Sequence, residues 1–155
     1  MNLVSQKVCL GGTFNVIHDG HLALLRKAIE LGDEIYIGLT SDKMASRSRK
    51  VPLQDYNTRL QNLENTLDQM AGNKKIFIFP LDDPMGRAAS GNFDFIVVSQ
   101  ETVRGAEKIN EVRGRSGLKP LEIVVIDMVL AHDGNPISAS RIIRGQVDQK
   151  GKVKQ

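Results

Sequence analysis

Two spacings of apolar residues alternate along this chain. Short apolar runs at 7–10, 34–39, 76–79, 93–98 and 121–126 read as buried strands. The fourth run is apolar almost throughout, which predicts an interior strand. Between the runs the spacing changes to that of helices. Leu22, Leu25 and Ile29 share one face over 20–31, with Gly32 as the stop. Leu60, Leu63, Leu67 and Met70 do the same over 55–70. Ser99 is placed to cap a helix over 100–115, which Gly117 and Pro120 end. Thr40, Ser41 and Asp42 offer caps for a short helical turn that gives way to the basic, serine-rich stretch 46–50. A connector rich in Gly, Pro and Asp spans 80–92, and a short helix over 138–144 follows Pro136. Strands joined by helical crossovers imply a parallel sheet, because such crossovers are right-handed. The expected fold is α/β: a single doubly wound, Rossmann-like domain with a five-stranded parallel sheet over 1–148, then a polar, frayed tail at 149–155.

Composition narrows the class. The 155 residues are 41% apolar and 25% charged, the balance of a folded globular domain. No apolar run approaches the roughly 18 residues of a membrane helix, and the N-terminus lacks a signal-peptide core. No membrane partner is expected, and a cytoplasmic location is. The single cysteine, Cys9, lies in an apolar run and reads as a buried thiol suited to a reducing compartment. The formal charge is +3, but aromatics make up only 5% and tryptophan is absent, so platforms for stacking bases are scarce. A protein that handles small polyphosphates shows the same modest excess, and no nucleic-acid partner is expected. The oligomeric state is left open.

Candidate chemistry falls at three strand ends, where open parallel sheets bind ligands. After the first strand come Gly11, Gly12, Thr13 and Phe14, then His18, Asp19, Gly20 and His21. Glycines let the backbone turn sharply and let a phosphate approach its N–H groups. The pattern is neither the dinucleotide fingerprint nor a Walker A loop. His18 and His21, three apart at a helix start, share one turn beside free N–H donors. Gly20 leaves room for a flat ring against the backbone. The pair suits a phosphate whose charge grows in a transition state. Metal ligation and plain helix capping are the competing readings, and no metal site is assigned. Residues 99–104 follow the fourth strand. After the fifth, Ser138, Ala139, Ser140 and Arg141 bring hydroxyls and a guanidinium to a short helix, with Ser138 also readable as an ordinary N-cap.

Gly11 to Asn15, then His18 to His21, then Ile137 to Arg141 resemble, in order and spacing, the three signatures of the HxGH nucleotidyltransferase superfamily. Residues 38–42, 97–102 and 109–113 resemble its phosphopantetheine adenylyltransferase branch, in the compact archaeal and eukaryotic form, and the likeness covers nearly the whole chain. The resemblance implies an enzyme that transfers AMP from ATP to 4′-phosphopantetheine, giving dephospho-coenzyme A and pyrophosphate, with Mg²⁺ accompanying ATP. It implies that His18 meets the transferred phosphate, while His21, Ser138, Ser140 and Arg141 hold the departing phosphates, with Ala139 among them. Gly11, Gly12, Thr13 and Phe14 would line the boundary between the two substrates, and Ser99 and Glu101 would lie near the adenosine. Lys43, Arg49 and Lys50 compete for a phosphate-gripping role, Lys50 being taken as catalytic. The stretch 82–86 would cover the pantetheine arm or be a plain surface turn. Asn15 stands where many relatives carry aspartate, which reads as a charge removed near the acceptor phosphate. Ala139 and Ser140 replace the commoner Ser-Thr. The same chemistry on a flavin, nicotinamide or glycerol phosphate acceptor, or an inactive nucleotide-binding regulator, are the alternatives.

Overall fold

The computed structural model describes residues 5–47, 52–127, 142 and 150–152. Its strands are β1 (Lys7–Gly12), β2 (Glu34–Thr40), β3 (Lys75–Leu81), β4 (Phe95–Val98) and β5 (Glu122–Val125). Its helices are α1 (Asp19–Leu31), α2 (Asp42–Ser46), α3 (Tyr56–Asp68) and α4 (Val103–Arg115), with a 3₁₀ turn at Gly86–Ala89. The strands form one sheet in the order β3-β2-β1-β4-β5, and every neighbouring pair is parallel. Winding runs outward from β1 through β2 to β3, then crosses to β4 and β5. The crossing leaves a crevice above the ends of β1 and β4, where such sheets take ligands.

Strand residues alternate between the two faces. Val8, Leu10, Ile35, Ile37 and Leu39 meet Leu25 and Ala28 of α1 and Leu63 and Leu67 of α3. On the opposite face Cys9, Ile96 and Val98 meet Ala106 and Ile109 of α4. No described helix is long and apolar enough to cross a membrane.

Three local expectations change. Gly11 and Gly12 do not turn: they remain in β1, opposite Gly38 and Leu39, and neither has a positive φ. Ser99 does not cap α4. It opens a turn in which its N–H donates to Thr102 Oγ1 at 3.1 Å and its carbonyl accepts from Thr102 N at 3.1 Å, and the helix starts at Val103. β3 runs on through Pro80 to Leu81, and it lies at the sheet edge, where a proline costs no ladder bond. The expected helix at 138–144 lies outside the described residues except for Ile142. Of the tail, Gly151 is buried with φ +87°, a departure from fraying at that position.

Candidate active site

The turn out of β1 is made by Phe14, whose φ of +50° is rare for a residue with a side chain. Its ring is 1% exposed and sits 4.9 Å from the His21 ring. Gly12 permits this fold-back, because a Cβ there would lie 2.9 Å from the Phe14 ring. Phe14 therefore supports His21 from behind and presents no side chain to a ligand.

Asn15 is also buried. Its amide NH₂ donates to the Pro52 carbonyl at 2.9 Å, and its Oδ1 accepts from Gln54 N at 2.8 Å. An aspartate could make only the second of these bonds while ionised. The asparagine is a two-way clasp to the 52–54 segment, a role the reading as a missing charge does not contain.

His18 and His21 bracket the start of α1. His18 is the N-cap, and its Nδ1 accepts from Gly20 N at 3.0 Å. The His21 Nδ1 accepts from His18 N at 3.2 Å. This is a capping box with imidazoles in the places of a hydroxyl and a carboxylate. The rings stack at 3.9 Å. A Cβ on Gly20 would lie 2.8 Å from His18 Cε1, so the glycine makes room for the His18 ring itself. Each accepting Nδ1 carries no proton, which places the ring N–H on Nε2 in both residues. Burial lowers His18 from 6.5 to about 4, against the raising influence of Asp19. His18 is thus a neutral, oriented donor at neutral pH, and the helix end adds its own positive field. Capping and a phosphate role are not alternatives in this geometry, since one ring nitrogen serves each.

Behind the turn lies a residue that the sequence pattern does not single out. Arg59 of α3 is fully buried, on the same face as Leu63 and Leu67. It donates to the carbonyls of Gln54, Thr13 and Thr40 and pairs with Asp42 at 2.8 Å. One guanidinium so ties the end of β1, the end of β2, the start of α2 and the 52–54 segment. The signal for it is faint: a charged residue at the i−4 position of an apolar stripe.

On the α4 face a cavity of about 400 Å³ opens above β1, β2 and β4. Gly11, Gly12, Gly38, Thr40 and Leu81 line it from the strands, Pro84 and Met85 from the connector, and Glu101 from the turn before α4. Asp83 builds the connector wall by accepting from Met85 N and Gly86 N at 3.0 and 2.7 Å. Arg113, buried in α4, donates to the carbonyls of Ala88 and Gly91 and holds that wall to the helix. Asn110 fixes the next loop by bonding both the N–H and the carbonyl of Leu121. Arg113 belongs to a basic stretch by sequence and to the core by structure. Cys9 also faces this cavity, buried, with its thiol pushed up to about 12 by burial.

The structure thus gathers Gly11, Gly12, Thr13, Phe14, His18, Gly20 and His21 at one strand-to-helix junction, with Glu101 across the adjoining cavity. Ser99 is close in sequence to Glu101 but does not line that cavity. Lys43 is exposed in the first turn of α2, next to Asp42. Lys50 and Arg49, and Ser138, Ala139, Ser140 and Arg141, lie outside the described residues.

A profile of cytidylyltransferase-like proteins matches residues 9–145 of this chain. The phosphopantetheine adenylyltransferase of Methanosarcina acetivorans is 45% identical over 96% of this chain and 96% of its own length. The bifunctional phosphopantetheine adenylyltransferase/NTP phosphatase of Thermoplasma volcanium is 46% identical over 92% of this chain and 43% of that protein. A crystal structure of a protein of unknown function from Archaeoglobus fulgidus superposes with a TM-score of 0.73 at 36% identity, covering 79% of this chain and 90% of that one.

Proposed function

The chain belongs to the phosphopantetheine adenylyltransferase family of cytidylyltransferase-like proteins, and from that premise we propose that it transfers AMP from ATP to 4′-phosphopantetheine. The observation that carries the reading is the paired, backbone-capped histidines. Both rings hold the Nε2–H tautomer at a helix N-terminus, and the strand end that leads to them, Gly11 and Gly12, lines a cavity of about 400 Å³.

In the proposed reaction an oxygen of the acceptor's phosphate attacks the α-phosphorus of ATP. A new P–O bond forms as the bond to the bridging α,β oxygen breaks, and that electron pair leaves with pyrophosphate. The nucleophile comes from the substrate, so no residue needs covalent modification. The protein's work is positioning and charge stabilisation. His18, neutral at working pH, donates to the α-phosphate as its charge redistributes, and His21 donates to the ATP phosphates. The Thr13 hydroxyl and the N–H groups at the end of β1 meet the acceptor phosphate. The pantetheine arm lies in the cavity under the Pro84–Met85 wall, and Glu101 is assigned to the adenosine by the family resemblance. Ser138, Ser140 and Arg141 are assigned to the pyrophosphate by the family resemblance, and one of Lys43, Arg49 and Lys50 to the bridging charge.

Among the described residues no group of three or more His, Cys, Asp or Glu could hold a metal ion. A Mg²⁺ accompanying ATP would be held through the ATP phosphates and would neutralise their charge there. No step is assigned to it. A cytoplasmic location is the proposed one, and ATP as donor and the free, buried Cys9 support it.

The test is pyrophosphate release from ATP with a panel of phosphorylated acceptors. Release with 4′-phosphopantetheine is expected. Release only with a flavin, nicotinamide or glycerol phosphate acceptor would overturn the choice of substrate.

A further inference from the structure

Thr13 carries the only hydroxyl between Gly11 and His21, and its neighbours decide where its proton goes. Arginine can donate but never accept. Arg59 Nη1 donates to the Thr40 carbonyl at 2.8 Å, to the Thr13 carbonyl at 3.0 Å and to Thr40 Oγ1 at 3.3 Å. The guanidinium cannot swing away, because Nε is held by the Gln54 carbonyl and Nη2 by Asp42. Thr40 Oγ1 accepts from Arg59 with one lone pair and gives its own proton to Thr13 Oγ1, 3.0 Å away. That bond takes a lone pair of Thr13 and leaves its O–H to find another acceptor. Among the described residues it donates to no protein group.

We propose that Arg59 and Thr40 are positioning residues that turn Thr13 into an obligate donor toward the phosphate bound at the β1–α1 junction. The inference rests on the adenylyl-transfer reading for the identity of that phosphate, the one on the acceptor. A hydroxyl free to rotate donates and accepts with equal ease. One pre-set as a donor costs no reorientation when an anion arrives, and it rejects a ligand that offers a donor at the same place. The buried cation at the far end of the chain polarises both hydroxyls in the same direction.

The relay acts through Thr13, so its signature is non-additivity. Initial rates of pyrophosphate release are compared for wild type, Thr13→Val, Thr40→Val and the double variant, with Thr40→Ser as the rescue. Thr13→Val and Thr40→Val should each lower kcat/KM for 4′-phosphopantetheine about ten-fold, the size of one hydrogen bond to a charged group. In the Thr13→Val background, Thr40→Val should cost less than two-fold, and Thr40→Ser should restore most of what Thr40→Val loses. An equal loss in both backgrounds would show Thr40 acting as ordinary scaffold and overturn the proposal. So would no loss on Thr40→Val while Thr13 is intact. If thermal melting shows that Thr40→Val does not fold, Thr40→Ala takes its place. If wild type releases no pyrophosphate with this acceptor, the functional reading fails on its own. The relay is then decided by calorimetric titration of inorganic phosphate into the same variants, where the same non-additive pattern supports it and additive losses reject it.

Discussion

His18 and His21 face each other with ring centroids 3.9 Å apart, and each gives its Nδ1 to a backbone N–H at the start of the same helix. The helix cap is thereby the device that sets the tautomer of the two side chains proposed to meet phosphate. Structure and chemistry use different atoms of one ring, so they can be separated by mutation.

His18→Ala removes the proposed donor to the transferred phosphate and the N-cap together. Turnover in pyrophosphate release should fall on the order of 10²-fold or more. The loss of the cap should cost about 1 kcal/mol of stability, measurable by denaturant titration. Turnover equal to wild type would remove His18 from the reaction.

Gly20→Ala tests the ring's position without touching either histidine. The added methyl would stand 2.8 Å from His18 Cε1, so the ring must shift. Alanine is the better helix former by about 1 kcal/mol. Melting temperature should therefore stay level or rise while kcat falls at least ten-fold. A fall in both would point to general damage to α1.

The depressed pKa of His18 links folding to pH. Unfolding returns the ring from about 4 to its ordinary 6.5, so between these values the unfolded chain binds a proton that the folded chain does not. Stability is therefore complete above about pH 6.5 and declines as pH falls toward 4. Between pH 7.5 and 4.5 the wild type should lose about 2 kcal/mol more than His18→Asn, which caps the helix but does not titrate. Urea unfolding at the two pH values measures the difference.

Asn15→Asp puts in the residue that the family resemblance implies there, and it should harm this chain. The carboxylate cannot donate to the Pro52 carbonyl, and it is buried. A loss of about 1–3 kcal/mol is expected near neutrality. Burial raises the folded-state pKa of that carboxyl, so the penalty should fade as pH drops toward the ordinary range near 4, where the protonated acid can donate again. Chemical denaturation across pH gives the answer, and a flat difference would refute the clasp.

Periodicity and punctuation were enough to read the sheet, its parallel sense and the three long described helices. The burial of Val8, Leu10, Ile35 and Ile37 follows from simple alternation along strands that pack between helices. The histidine pair was equally legible, because a three-residue spacing at a helix start fixes proximity locally. Arg59 and Arg113 were not. Each satisfies carbonyls from segments far apart in the chain, and nothing in the neighbouring sequence separates such an arginine from a solvated one. Ser99 failed as a cap for a related reason: Thr102 competes for the same turn and holds it.

The sequence by itself determined the fold class, the strand-to-helix junction and the residue types available to meet a phosphate, since each depends on neighbours within about one turn of chain. Tertiary structure alone decided how those residues are held. It made Phe14 a buried prop, Asn15 a clasp, and Thr13 the end of a hydrogen-bond chain from Arg59. The clasp and the chain require groups separated by 19 to 46 positions to meet inside a low-dielectric core. There every donor and acceptor needs a partner, and only the packed fold supplies one.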